Sequence, residues 1–138
     1  MAELYLEIIS PSKIVYKGNI LSVTIPGTLG SFQILKNHAP LISTFEIGLV
    51  KIKESESSIK HFATGGGTVE VLNNKILVLA DSLEAVEDID VQRAKEARQR
   101  AEERLAHKAD IDIERAKAAL SRAINRLNIV EKYMEAEI

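Results

Sequence analysis

Apolar and polar residues alternate through the first 85 positions of the chain. The alternation is clearest at 4–8, 21–25, 32–34 and 59–63, and turn-forming Gly and Pro residues separate these runs. A period of two is typical of strands with one buried face. The pattern therefore predicts about ten short strands forming an antiparallel sandwich.

One hairpin is indicated with particular clarity. Thr68 to Leu72 and Lys75 to Ala80 flank the pair Asn73-Asn74. Asn tolerates the left-handed backbone that a two-residue hairpin turn requires. We therefore predict that these two segments pair across a tight turn.

The pattern changes to a helical one after residue 87. Apolar residues then recur at alternating steps of three and four, and they form two seams: Val91, Ala94, Ala97, Ala101 and Leu105, followed by Ile113, Ala116, Leu120, Ala123, Leu127, Val130 and Met134. Asp90 and Asp112 occupy N-cap positions. We predict helices at about 90–106 and 112–134 that pack as an antiparallel hairpin.

The segment between the helices, His107 to Ile111, contains neither Gly nor Pro. A forced hairpin usually has such a breaker. The same residues could instead join both helices into one rod about 65–70 Å long at 1.5 Å per residue. A compact hairpin, an extended arm and a plain polar loop therefore all remain open, with the compact form favoured for the isolated chain because it covers both seams.

Composition agrees with an α+β chain of two domains, at 1–86 and 87–138. All 7 Gly and all 3 Pro precede residue 68, and every Arg follows residue 92. The net charge of -2 argues against a nucleic-acid binder. The absence of Cys excludes disulfides, thiolate metal sites and a Cys nucleophile. No signal-peptide pattern and no run of 18 apolar residues is present, so we expect a soluble cytoplasmic protein.

Catalytic motifs are scarce. His38, His61 and His107 are scattered over different predicted elements, without a nucleophile or metal motif around them. The run Gly65-Gly66-Gly67 would suit a phosphate cradle only if a helix followed, and a strand follows instead. A bulge or turn is the better interpretation. We expect neither an enzyme nor a metal site.

Arginine forms one stripe on each predicted helix. The stripes consist of Arg93, Arg100 and Arg104, and of Arg115, Arg122 and Arg126. Antiparallel packing could bring them together, and converged guanidinium groups favour an anion such as a polyphosphate. The alternative is a solvated face on which Glu96, Glu103 and Glu114 serve as salt-bridge partners.

The stretch from 26 to 41 carries a resemblance to a known family. It reads Pro-Gly, then Gly-x-Phe-x-Ile-Leu, then Asn-His-Ala-Pro-Leu, and it follows Pro11 and Tyr16-x-Gly18. The chain closely resembles the epsilon subunits of rotary proton-translocating ATP synthases. The resemblance covers the whole chain, including the Gly run and the two helices.

The resemblance implies a rotor subunit without catalytic residues. Its β-sandwich would clamp the gamma subunit and rest on the ring of c subunits, at the cytoplasmic face of the cell membrane and with membrane contact only through that ring. The loop expected at the c-ring end comprises Ser31, His38, Ala39, Pro40 and Leu41.

The resemblance also implies that the helical arm regulates the complex. Extended, it would reach the alpha and beta subunits and block ATP hydrolysis; folded, it would permit hydrolysis. ATP bound to the folded hairpin would stabilise that state, as a regulatory ligand without required magnesium or another cofactor. The implied nucleotide-binding residues are Glu84, Ile89, Asp90, Arg93, Ala94, Arg100, Arg122 and Arg126.

Within this set, Arg100, Arg122 and Arg126 would contact the phosphates. Glu84, Asp90 and Arg93 would fix the adenine or ribose, and Ala94 would leave room for the ring. The alternative from another class is a free-standing nucleotide-sensing module without a rotary partner. An enzyme that hydrolyses ATP is the least favoured of the three functional alternatives, because no general base or metal ligands are evident.

Overall fold

The computed structural model describes residues 3–106 and 112–133, which form two compact units, Met1–Ala85 and Val86–Ile138. The first unit contains eight described strands: Leu4–Ser10 (β1), Lys13–Ile20 (β2), Ser22–Gly27 (β3), Gly30–Leu35 (β4), Leu41–Ser55 (β5), Ser58–Leu72 (β6), Lys75–Ala80 (β7) and Leu83–Ala85 (β8). The second contains a 3₁₀ helix, Val86–Asp88, and the helices Val91–Ala106 (α1) and Ile113–Tyr133 (α2).

The strands pair in the order β2-β1-β7-β6-β5-β3-β4, and β8 pairs with β6. The pairs are antiparallel except for β1 and β7, which run parallel. The count is eight rather than about ten because β5 and β6 each continue for 15 residues. β6 pairs first with β8 and then with β7 along one edge, while β5 pairs with β3 on one edge and with β6 on the other.

The predicted alternation is reproduced in the burial of the strands. Leu6 and Ile8 on β1, and Val23 and Ile25 on β3, are fully buried in one core cluster. β1 and β3 are far apart in the pairing order, so the sheet must fold over to bring their apolar faces together. Burying each such side chain contributes roughly 1.5–3 kcal/mol. This shared core confirms the predicted sandwich.

The predicted hairpin is confirmed, with Leu72 paired to Lys75 across the turn. Asn73 and Asn74 have φ of 49° and 63°, the left-handed values that a two-residue hairpin turn needs.

The glycine run lies inside β6, at the point where β6 changes from one strand partner to another. Residues before the run pair with β8, and residues from Gly67 onward pair with β7. At Gly67 a Cβ would lie 2.0 Å from the carbonyl oxygen of Leu79, and at Gly66 it would lie 2.9 Å from that of Phe45. The run therefore permits close approach of backbones within the sheet, which agrees with the predicted bulge.

The two helices begin and end within a residue of their predicted bounds, as far as the described residues extend. Asp90 and Asp112 cap them, because their Oδ1 atoms accept hydrogen bonds from the N–H groups of Arg93 and Arg115 at 3.0 and 3.1 Å. The predictions for the link 107–111 and for Met134 lie outside the described residues. No helix in residues 3–106 or 112–133 is long and apolar enough to cross a membrane.

Candidate functional site: an arginine flank and a docking end

The helical hairpin packs through small residues. Ala94 and Ala101 of α1, and Ala116 and Ala123 of α2, are 1–4 % exposed. These methyl groups allow close approach of the helix axes, and they define the inward direction of each helix. The alanines of the predicted seams are therefore buried as expected, whereas Val91 and Ile113 at the start of each seam are exposed, and Ile129, outside the predicted seam, is buried.

Both arginine stripes lie on the same flank of the hairpin. At about 100° per residue, each stripe is rotated about 80–120° from its helix's buried alanines, in the same sense on both helices. When two helices pack antiparallel, side chains that are rotated by the same angle and in the same sense from the contact face lie on the same side of the pair. This arginine flank comprises Arg93, Arg100 and Arg104 of α1 and Arg115, Arg122 and Arg126 of α2.

The acidic residues of the helices lie elsewhere. Relative to the buried alanines, Glu96, Glu103 and Glu114 point about 160–200° away, on the outer side. Glu96 and Glu103 accept hydrogen bonds from Gln92 and Gln99, at 3.3 and 3.4 Å. They therefore do not serve as the arginine partners that a simple solvated face would require.

Five of the six guanidinium groups of the flank lack an ion pair within the described residues. Within residues 3–106 and 112–133, no carboxylate forms an ion pair with the side chains of Arg93, Arg100, Arg104, Arg115 or Arg122. Converged cations repel one another unless an anion lies among them. The arrangement is therefore suited to binding a multiply charged anion.

The predicted nucleotide residues are not all on this flank. Arg93 and Arg100 are exposed there, and Arg122 and Arg126 are half-buried. The side chain of Ala94 belongs to the helix–helix contact. The remaining three lie elsewhere in the chain: Glu84 on β8, Ile89 buried after the 3₁₀ helix, and Asp90 at the cap of α1.

The opposite flank of the hairpin carries a groove of about 550 Å³. It is lined by Val91, Lys95, Arg98, Gln99, Glu102, Leu127, Val130 and Glu131. Arg98 and Glu102 form an ion pair at 2.9 Å within it. The groove contains none of the predicted nucleotide residues, and its charges are balanced, so it has no preference for an anion.

The residues predicted to contact the c ring divide into two places. His38, Ala39 and Pro40 form the loop between β4 and β5, and Leu41 begins β5 and packs against the core. Ser31 lies near the far end of β4, about 13 Å along the strand from Leu35. The structure thus places four of the five predicted contact residues, His38 to Leu41, in one segment and Ser31 apart from them.

An exposed apolar patch, not identified from the sequence, lies on the outer face of the sheet. Ile42 is opposite Glu70 in the register, and Leu72 is opposite Lys75. Leu72 is therefore the diagonal neighbour of Ile42 on one side and of Leu77 on the other. We call Ile42, Leu72, Leu77 and Leu79 the outer patch. Ile42 is 80 % exposed, which is unusual for a large apolar side chain in a sheet.

No group of three or more His, Asp and Glu residues that could hold a metal ion occurs in the described parts of the chain. The described histidines are apart: His38 is in the β4–β5 loop, with Nδ1 2.7 Å from the carbonyl oxygen of Ala39, and His61 is on β6.

Two family models match the chain in succession. Residues 3–86 match the beta-sandwich domain of the ATP synthase delta/epsilon chain, and residues 87–131 match its long alpha-helix domain. The ATP synthase epsilon chain of Pelotomaculum thermopropionicum is 47% identical over 103 residues, which cover 75% of this chain and 76% of the relative. That of Moorella thermoacetica is 41% identical over 108 residues, or 78% and 81% of the two chains.

Solved structures share the fold at low sequence identity. A chain of the Euglena gracilis mitochondrial ATP synthase OSCP/F1/c-ring structure superimposes with a TM-score of 0.70 and 15% identity, covering 100% of this chain and 83% of that one. A chain of the Tetrahymena thermophila mitochondrial ATP synthase central stalk/c-ring gives 0.64 and 16%, covering 94% and 97%. The likeness extends across both units.

Proposed function

Because the chain belongs to the ATP synthase delta/epsilon family, we propose that it is a non-catalytic rotor subunit that couples the catalytic hexamer to the c ring. Its β unit binds the gamma subunit and the c ring. The subunit is peripheral, at the cytoplasmic face of the cell membrane, and touches the membrane only through the ring.

The helical unit is the regulatory part of this proposal. Extended, α1 and α2 reach the alpha and beta subunits and inhibit ATP hydrolysis. Folded as a hairpin, they permit hydrolysis, and ATP bound to the hairpin favours this state. The observation that supports the nucleotide proposal is the arginine flank, where six arginines from two helices lie on one side of the hairpin and the acidic residues of the helices point elsewhere.

A triphosphate suits this flank for electrostatic reasons. Arg100, Arg122 and Arg126 supply planar donors that match phosphate oxygens, and charge-assisted hydrogen bonds are about twice as strong as neutral ones. In this proposal Arg93, at one end of the flank, and Asp90, three residues before it at the cap of α1, contact the base or ribose. Asp90 has a structural role as well, because its carboxylate caps α1.

Binding to the folded hairpin alone would shift the arm between its states. Each tenfold preference of ATP for the hairpin over the extended arm moves the equilibrium by about 1.4 kcal/mol. The extended arm separates the two stripes, so the phosphates can no longer contact Arg100 of α1 together with Arg122 and Arg126 of α2. This difference between the two states is the physical basis of the regulation.

Calorimetric titration of the full chain with ATP, with and without magnesium, tests the nucleotide site. Arg100→Ala and Arg126→Ala should weaken binding by at least tenfold, since each removes a charge-assisted contact. Arg98→Ala is the matched control, because it removes one arginine of α1 from the opposite flank. Equal losses in Arg98→Ala and Arg100→Ala would show that only overall charge matters and would contradict the assignment.

The outer patch supports a partner-bound protein over a free-standing nucleotide sensor. Exposed apolar side chains grouped on a sheet face are typical of an interaction surface, and here they surround the exposed Glu70, which is opposite both Ile42 and Leu77. Leu72→Thr should therefore weaken binding to gamma–c-ring subcomplex in a pull-down. Ile59→Thr is the control, since Ile59 is 43 % exposed, close to the 50 % of Leu72, but lies outside the patch. A wild-type chain that binds no subcomplex would favour the sensor.

A further inference from the structure

Two asparagines from distant parts of the sequence form a reciprocal pair at one end of the β unit. The N–H of Asn37 donates to Oδ1 of Asn74 at 2.6 Å, and Nδ2 of Asn74 donates to Oδ1 of Asn37 at 3.2 Å. Asn37 lies in the β4–β5 loop, and Asn74 lies in the β6–β7 turn. We call this contact the amide pair.

Asn74 also holds a third segment. Its carbonyl oxygen accepts a hydrogen bond from the N–H of Tyr5 on β1 at 2.8 Å. One turn residue thus joins β1, the β6–β7 turn and the β4–β5 loop. Both asparagines of the pair have positive φ, 67° at Asn37 and 63° at Asn74, which their short polar side chains tolerate.

The loop that the amide pair reaches has little other support. Residues 36–40 have no strand partner. Their local hydrogen bonds are the N–H of His38 to the carbonyl oxygen of Leu35, at 3.2 Å, and the imidazole contact of His38 with Ala39. A loop held only by such short-range bonds samples several conformations, and a long-range bond reduces their number.

We propose that the amide pair is a positioning device that holds the 36–40 loop in the conformation in which it docks on a protein partner. This inference rests on the proposed function, in which that partner is the c ring with its stalk. Ile42 of the outer patch follows the loop after Leu41, so fixing the loop also fixes one border of an apolar docking surface. A loop ordered before binding loses less entropy on binding, which raises affinity.

Substitution of Asn74 by glycine removes the side chain but keeps the backbone conformation, because glycine accepts positive φ without strain. Asn73→Gly is the matched control: Asn73 lies in the same turn with φ of 49° and has no side-chain hydrogen bond within the described residues. The two variants therefore differ in whether they remove the amide pair.

Amide hydrogen exchange on the full chain tests the pair without any partner. The Asn37 N–H should exchange about tenfold faster in Asn74→Gly than in the wild type, and at the wild-type rate in Asn73→Gly. An Asn37 amide that exchanges equally in all three proteins would overturn the proposal.

Affinity for a gamma–c-ring subcomplex tests the docking role. We expect Asn74→Gly to bind about fivefold more weakly, the size of one hydrogen bond, and Asn73→Gly to bind like the wild type. Asn37→Gly combined with Asn74→Gly should lose no more than Asn74→Gly alone, because Asn74→Gly already removes both hydrogen bonds, whereas Asn37→Gly keeps the backbone N–H that donates to Asn74.

The outcomes separate this inference from the proposed function. Equal affinity of the Asn73 and Asn74 variants, with a wild type that binds, overturns only the docking role of the amide pair. A wild type that binds no subcomplex overturns the proposed function and the docking role together, while the exchange rates still decide whether the pair holds the loop.

Discussion

The hydroxyl of Tyr16 donates a hydrogen bond of 2.5 Å to the carboxylate of Glu54, which joins two strands that are not paired with each other. Tyr16 lies on β2, the first strand in the pairing order, and Glu54 lies near the end of β5. Ser58 donates to the other carboxylate oxygen at 2.9 Å, and Nζ of Lys60 lies 3.5 Å from Glu54. The hydrogen bond thus links β2, the strand at one end of the pairing order, to β5.

Removing the Tyr16 hydroxyl should destabilise the β unit. In Tyr16→Phe the ring keeps its edge-on contact with Phe62, but Glu54 loses its short hydrogen bond. Because this bond joins a hydroxyl to a charged group, we expect a loss of about 1.5–3 kcal/mol in the free energy of unfolding. Urea titration followed by circular dichroism measures it. Tyr5→Phe is the control, since the Tyr5 hydroxyl has no hydrogen bond within the described residues; an equal loss there would refute the assignment.

The same contact makes stability depend on pH on the acidic side. The hydrogen bond from Tyr16, then that from Ser58, lowers the pKa of Glu54 below its usual value. A carboxyl whose pKa is lower in the folded state contributes stability above its unfolded pKa and loses it as the pH falls through the folded value. Unfolding measured from pH 6 down to pH 2 should therefore show a stability loss beginning near the ordinary Glu pKa, about 4.3.

Glu54→Gln should flatten that part of the profile, because an amide does not titrate. Glu7→Gln on β1 is the comparison, as Glu7 forms no ion pair within the described residues. Parallel profiles for the wild type and Glu54→Gln would show that another group is responsible.

Gly67→Ala should be strongly destabilising. The added Cβ would lie 2.0 Å from the carbonyl oxygen of Leu79, at a φ of 155°, so two paired strands would have to separate. We expect a loss above about 3 kcal/mol or failure to fold, seen in thermal unfolding. Gly18→Ala should be nearly neutral, because its Cβ would meet only the Tyr16 hydroxyl at 4.0 Å. Similar melting temperatures of the two variants would contradict this account of the Gly run.

The two caps allow the structural and nucleotide roles of Asp90 to be separated. Asp90→Ala and Asp112→Ala each remove an N-cap and should each cost about 1 kcal/mol of helix stability. Asp90→Ser keeps a cap but removes the carboxylate. If Asp90 contacts the nucleotide, Asp90→Ser should bind ATP more weakly and Asp112→Ala should not. If Asp90→Ser binds ATP as tightly as the wild type, Asp90 serves only as the N-cap of α1 and does not contact the nucleotide.

Short-range signals in the amino-acid sequence were enough to predict a β unit followed by two helices. Alternation indicated strands at 4–8, 21–25, 32–34 and 59–63, the three-and-four spacing indicated the helices, and Asp90, Asp112 and Asn73-Asn74 marked the caps and the hairpin, because each of these signals acts over a few neighbouring residues. The length of β5 and β6, and hence eight strands in place of about ten, was not readable in this way. The arginine stripes were also readable, since helical geometry fixes the angle between residues on one helix.

The contacts between residues far apart in the chain could not be predicted from such short-range signals. The parallel pairing of β1 with β7, the bond from Tyr16 to Glu54, the amide pair of Asn37 and Asn74, and the outer patch all join segments far apart in the chain. Nothing local distinguishes Asn74 from Asn73. Such contacts depend on strand order and register, which follow from how the whole apolar surface is buried, and that is a property of the complete fold.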